Sequence, residues 1–232
     1  MMIAILAFFL VPLAAAASVR ILRPQDEGLR LLLSFSGSFL VGVAFLHLLP
    51  ELYHAVGATV GSWVLGGFLL QVVLEHFSMG IEHGHVHATR TGAIPVLTLL
   101  SLSLHSFAEG IPFADPAVAG DGHFLAGVLL HKIPMAVALV TVLQRAGLGR
   151  FRTWGAMVLF ASAAPAGVLF GGAIGQYLGP DFLLHMLGLA IGMLMHIGTT
   201  IIFESAPGHR FHAWRFVAVL VGALLSVFSM HG

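Results

Sequence analysis

The feature that most constrains this chain is the recurrence of apolar runs as long as a bilayer is thick. Stretches of spanning length, about 20 residues each, run near 2–21, 31–53, 62–80, 93–114, 123–144, 154–178, 182–204 and 213–230. The segments between them are short and rich in turn residues, as in "RPQDEG", "DPAVAGDG", "QRAGLGRFR" and "GPD". In lipid every backbone N–H and C=O must be satisfied within the segment, so such runs become helices rather than loops or open strands. The expected fold is an all-α integral membrane protein, a single domain over 1–232 with eight transmembrane helices. Composition agrees, since 58% of residues are hydrophobic and only 9% are charged, too few to clothe a soluble surface. The first run, "MMIAILAFFLVPLAAAASVR", ends like a secretory leader. No basic residue precedes it, however, and basic residues follow it, so it reads as the first span.

The charges orient these spans. Arg20, Arg23 and Arg30 lie in the first connection, Arg90 in the third, Arg145, Arg150 and Arg152 in the fifth, and Arg210 and Arg215 in the seventh. Eight spans put all odd-numbered connections on one side. By the positive-inside rule that side is cytoplasmic, which leaves both termini outside. The remaining cation, Lys132, falls inside the fifth span, where an ammonium needs a carboxylate partner or a water-filled cavity. Cysteine is absent, which excludes disulfides and thiolate chemistry.

Within the fourth span, "LSLHSFAEGIPFA" sets His105 and Glu109 four residues apart, on one face of a helix. Within the fifth, "HKIPMA" sets His131 and Met135 on one face in the same way. Helix rise puts His105 about 16 Å and Glu109 about 22 Å from the inner surface of a slab of about 30 Å. Counted from the outer surface, His131 lies about 10 Å deep and Met135 about 16 Å. Antiparallel spans therefore bring Glu109 level with His131, and His105 level with Met135. Two imidazoles and a carboxylate suit zinc and other first-row divalent ions, and a thioether adds a weak, soft donor. For Met135, packing and ligation both stay open. Pro112 and Pro134 each remove a helical hydrogen bond beside this cluster, as irregular backbone lining a cavity does.

At these residues the chain resembles the ZIP family of divalent-metal transporters. "HSFAEG" is similar to the family's signature in its fourth helix, "HKIP" to the start of the signature in its fifth, and "FLHLLPEL" to its second helix. The resemblance implies a bundle of eight helices with an inverted repeat, helices one to three being related to six to eight around four and five. It implies metal ligation by His105, Glu109 and His131, with Met135 at a further ligand position. Members with two adjacent metals carry Asn, an acidic or amide residue, and a carboxylate where this chain has Ser106, Lys132 and Met135. An acidic residue before the sixth-helix proline is replaced by Ala164. One metal rather than two is therefore expected, with Lys132 supplying the lost charge. The implied function is import of a divalent cation through the cytoplasmic (inner) membrane, zinc first. Iron, manganese and cadmium stay open, because geometry and availability decide selectivity.

Other polar residues fall along the same path. His47 and Glu51 lie toward the outer end of the second span. His196, Thr200 and Glu204 lie along the seventh, Glu204 toward the inner end. They read as relays in and out, or as plain interfacial carboxylates with their neighbours. Glu75 and His76 sit near the inner end of the third span. Next to them, Glu82, His83, His85 and His87 make a His-bearing cytoplasmic loop over 81–92, a place to collect emerging metal or simply a solvated loop. The partners implied are divalent cations and the lipid bilayer, with no nucleic acid; monomer and homodimer both stay open. No resident cofactor and no enzyme activity are expected. Two rivals remain: an intramembrane metal-dependent hydrolase, disfavoured by the absence of any HExxH, and a metal sensor that does not transport.

Overall fold

The computed structural model describes residues 1–22, 26–81, 94–179, 181–204 and 212–228. Among them there is no strand. The helices in chain order are α1 (Met2–Leu22), α2 (Asp26–Val43), α3 (Leu49–Val56), α4 (Val60–Ser78), α5 (Ile94–Gly110), α6 (Pro116–Gly120), α7 (Gly122–Arg145), α8 (Arg150–Leu178), α9 (Phe182–Glu204) and α10 (Ala213–Phe228). A π-helical turn, Ala44–Leu48, carries α2 directly into α3. Pro50, at the start of α3, has no N–H to return to the preceding turn, and its ring crowds that turn into the wider form. α3 stops at Gly57, whose φ of +69° is cheap only without a side chain, and the chain reverses into α4.

By length and composition six segments among the described residues can cross a membrane: Met2–Val19, Glu27–Ser78, Pro95–Ala114, Gly122–Arg145, Arg150–Leu178 and Phe182–Ile202. Glu27–Ser78 runs for 52 residues and contains the reversal at Gly57, while Ala213–Phe228 is apolar but shorter. The distribution of polarity is inverted relative to a water-soluble protein. Leu65, Leu69, Leu104, Leu169 and Leu224 are exposed, whereas Ser36, Gln71, His105, His131 and Lys132 are fully buried. A solvent of lipid tails favours that arrangement, and water opposes it.

Two places depart from the sequence pattern. "DPAVAGDG", read there as a plain connection, folds into α6. Asp115 caps it by accepting from the Ala117 N–H at 2.7 Å, and Pro116 takes the first helical position. Asp121 then caps α7, its Oδ1 accepting from the N–H groups of His123 and Phe124 at 3.0 Å each. The backbone irregularity expected at both prolines is found at one. α5 tightens into a 3₁₀ turn, Ile111–Ala114, around Pro112, but α7 runs unbroken through Pro134.

The helices pack in two sets. α1 and α8 hold α5 and α7, while α9 holds α2, α3 and α4, and α10 lies along α2. The sets meet mainly along α4–α5 and α2–α7. Within each set glycines let backbones touch. A Cβ on Gly110 of α5 would overlap the Ala164 carbonyl of α8, and one on Gly192 of α9 would overlap that of Val64 in α4. Gly192→Ala should therefore destabilise the protein by about 1–3 kcal/mol, seen as a lower unfolding temperature in detergent. Gly172→Ala, with nothing within 4 Å of its added methyl, should leave that temperature unchanged.

Candidate metal centre

α5 and α7 face one another across the middle of the bundle. The four-residue spacing on α5 puts His105 and Glu109 one above the other, and α7 presents His131 and Lys132 from the opposite side. All four side chains are 0–1% exposed. His105 Nε2 lies 3.0 Å from Glu109 Oε1. The His131 ring stands edge-on to that of His105, with centroids 6.1 Å apart and planes at 77°. One donor atom from each of His105, Glu109 and His131 falls within 4.8 Å of the others. A cation with bonds of about 2 Å would draw these donors closer together to bridge them.

Lys132 takes the other side of the carboxylate. Its Nζ donates to Glu109 Oε2 at 2.6 Å and to Ser106 Oγ at 2.7 Å, and stands 5.6 Å from the centroid of the Phe8 ring. The sequence left Lys132 a carboxylate partner or a water-filled cavity; the structure gives it the carboxylate of Glu109, with the Ser106 hydroxyl beside it. Met135, one turn beyond His131, is fully buried in an apolar cluster with Leu102 and Leu139. Ala164, before Pro165, is buried against Gly110 and brings no polar group.

Gln71 of α4 was not anticipated. Its Oε1 lies 2.8 Å from His105 Nδ1, on the edge of the ring away from Glu109, and the residue is fully buried. The signal was available, because Gln71 is the sole amide within the third apolar run and an amide in lipid needs a partner.

Toward the C-terminal end of α5 an open cleft of about 270 Å³ is lined by His47, Glu51, Asp115, Asp121, Leu184 and Leu187. His47, in the π turn, sits 3.8 Å from Glu51 and 3.3 Å from Asp121 Oδ2, so the pair read from sequence acquires a third member that the turn-like "DPAVAGDG" concealed. Phe113 follows Glu109 in the 3₁₀ turn after α5, and Phe124 precedes His131 along α7. These two rings stack at 5.0 Å, and Phe8 meets Phe113 edge-on at 4.9 Å, making an apolar layer between cleft and centre.

On the opposite side of the bundle's middle, Glu75 of α4 meets His196 of α9, Oε2 to Nε2 at 2.5 Å. Thr200 donates to the His196 carbonyl at 2.8 Å. His76 does not join this pair; it is exposed and lies against Phe77. Glu82, His83, His85 and His87 lie outside the described residues. α9 extends through Glu204, but the side chain of Glu204 is likewise outside them.

Residues 78–230 match the family model for the ZIP zinc transporter. Zinc transporter ZupT of Corynebacterium glutamicum is 24% identical over 225 residues, 85% of either chain. Zinc transporter ZIP9 of Micropogonias undulatus is 30% identical over 123 residues, covering 49% of this chain and 38% of that protein. Zinc transporter ZIP13 of Pongo abelii is 30% identical over 161 residues, covering 62% of this chain and 47% of that one. The match thus spans less than half the length of the ZIP9 and ZIP13 proteins. A family model covering well over half of the sequence, on a bundle of apolar helices, places this chain in the ZIP zinc transporter family.

Proposed function

We propose that this protein carries a divalent cation, zinc first, across the cytoplasmic membrane toward the cytoplasm, through one metal site made by His105, Glu109 and His131. The observation that carries this reading is the convergence of three fully buried ligand side chains among apolar helices. Structural glue needs no such trio, and a carboxylate and imidazoles at that depth are costly without a task. The ZIP family is one of transporters rather than enzymes. That membership, with no HExxH in the chain, sets the hydrolase aside.

In this reading Glu27–Ser78 supplies two passes, with the reversal at Gly57 outside, and Ala213–Phe228 supplies the last. That gives eight passes in one domain, both termini outside and all nine arginines at the cytoplasmic end. The inverted repeat then sets His47 of the second pass against His196 of the seventh, near opposite ends of the path. A cation arrives at the cleft of His47, Glu51 and Asp121. It crosses the layer of Phe8, Phe113 and Phe124 only when the helices shift, and it sheds water for His105, Glu109 and His131. It leaves past Glu75 and His196 toward the cytoplasmic loop.

Met135 is the candidate fourth donor. Lys132 holds the place of a second metal. Its ammonium keeps Glu109 neutralised while the site is empty, and metal must draw Glu109 from it. The chain has no ATP-binding P-loop motif, so the metal's own gradient or a coupled ion supplies the driving force.

Two outcomes follow. In vesicles containing the purified protein, His105→Ala with Glu109→Ala should reduce zinc uptake to the protein-free background; uptake at the wild-type rate removes the site. Lys132→Met leaves a carboxylate buried without its ammonium, which costs about 3–5 kcal/mol. Thermal unfolding should therefore show a less stable metal-free protein, and added zinc should raise its unfolding temperature by more than it raises that of the wild type.

A further inference from the structure

We infer that Gln71 is a positioning residue for metal capture: its amide oxygen holds the proton of His105 on Nδ1 and so turns the Nε2 lone pair toward the metal. The inference rests on the proposed role of His105 as a ligand. A neutral imidazole carries one proton and can offer a metal only the other nitrogen. His105 Nδ1 lies 2.8 Å from Gln71 Oε1, an acceptor, and the contact is a hydrogen bond when Nδ1 carries the proton. Nε2 faces Glu109 Oε1 at 3.0 Å, so the two atoms that would hold the cation stand side by side. With Nδ1 held by Gln71, Nε2 is the nitrogen left for a cation, which Glu109 Oε1 beside it would share.

The amide is placed for this contact and for little else. Gln71 is fully buried, and its Nε2 has no hydrogen-bond partner among the described residues, a costly state within an apolar bundle. An unpaired amide N–H₂ is tolerable only if the oxygen's bond is worth keeping. Gln71 also comes from α4, the helix set that carries none of the three ligands, so the orientation of His105 depends on α4 and α5 staying in register.

The choice of amide over carboxylate bears on turnover. A ligating imidazole that donates its second N–H to a carboxylate becomes more basic and binds metal more tightly. A neutral amide fixes the same orientation with less added basicity, which suits a site that must also release its cargo.

The full-length protein in lipid nanodiscs, metal-free and labelled with ¹⁵N-histidine, reports the tautomer directly. Zinc uptake by vesicles gives KM and maximal rate for the same variants. In the wild type His105 should be protonated at Nδ1. Gln71→Leu, similar in size and without an acceptor, should lose that single tautomer and raise KM about 10-fold or more, with a smaller change in maximal rate. Gln71→Glu should restore the tautomer and bring KM to or below that of the wild type, but lower the maximal rate. Gln71→Leu with an unchanged tautomer and KM overturns the inference, as does a Gln71→Glu whose KM is raised as far as that of Gln71→Leu. Uptake indifferent to His105→Ala overturns the metal-site reading instead, while the tautomer still decides whether Gln71 orients the ring.

Discussion

One carboxylate in a slab without water organises the centre of this molecule. Glu109 is 1% exposed, and an isolated charge at that depth is not sustainable. Its partners account for the neighbours that would otherwise be puzzling: the ammonium of Lys132 at 2.6 Å, the imidazole of His105 at 3.0 Å and the ring of His131 across from both. Ser106 takes a second bond from the ammonium, and the face of Phe8 closes over it. Such a pair stabilises little beyond its own desolvation, so its presence points to a use other than stability. In the proposed function that use is capture of a cation that can displace the ammonium.

The fold serves this centre by bringing polar groups inward and closing it off from the cleft with an apolar layer. Serines, the amide and the titratable groups lie inside a shell of leucine, valine and phenylalanine that faces outward. Glycines draw α5 against α8 and α4 against α9, while the two helix sets meet near the ligands along α4–α5. The aromatic layer of Phe8, Phe113 and Phe124 separates the centre from the cleft of His47, Glu51 and Asp121. A buried ligand trio, a polar cleft and an apolar layer between them are what a carrier needs if metal is never to see both sides at once.

Much of this was legible in the residues. The helix periodicity of "HSFAEG" and "HKIP", with antiparallel depth, brings His105, Glu109 and His131 together, because rise per residue and bilayer thickness are nearly invariant. Lys132 announced its need for a carboxylate by lying in an apolar run. What escaped notice depended on lateral packing or on local capping. Which helix face α4 turns toward α5 is not written in hydropathy, so Gln71 stood out only as an oddity within its run. α6 escaped because Asp115 and Pro116 read equally as turn residues and as a helix start. Once α6 is folded, the remaining oxygen of Asp121 comes to His47. Pro134 misled in the other direction, since α7 absorbs the missing bond without a break.

In the proposed site one metal sits on His105, Glu109 and His131, with Lys132 where a second would be. Zinc-edge X-ray absorption on the purified full-length protein, with zinc counted per chain, tests it most directly. The expected result is a single tightly held zinc with imidazole nitrogens and carboxylate oxygen in its coordination shell, lost when His105 and His131 are both replaced by alanine. Two zinc ions per chain at short mutual distance, or a coordination shell unchanged by those replacements, would contradict it.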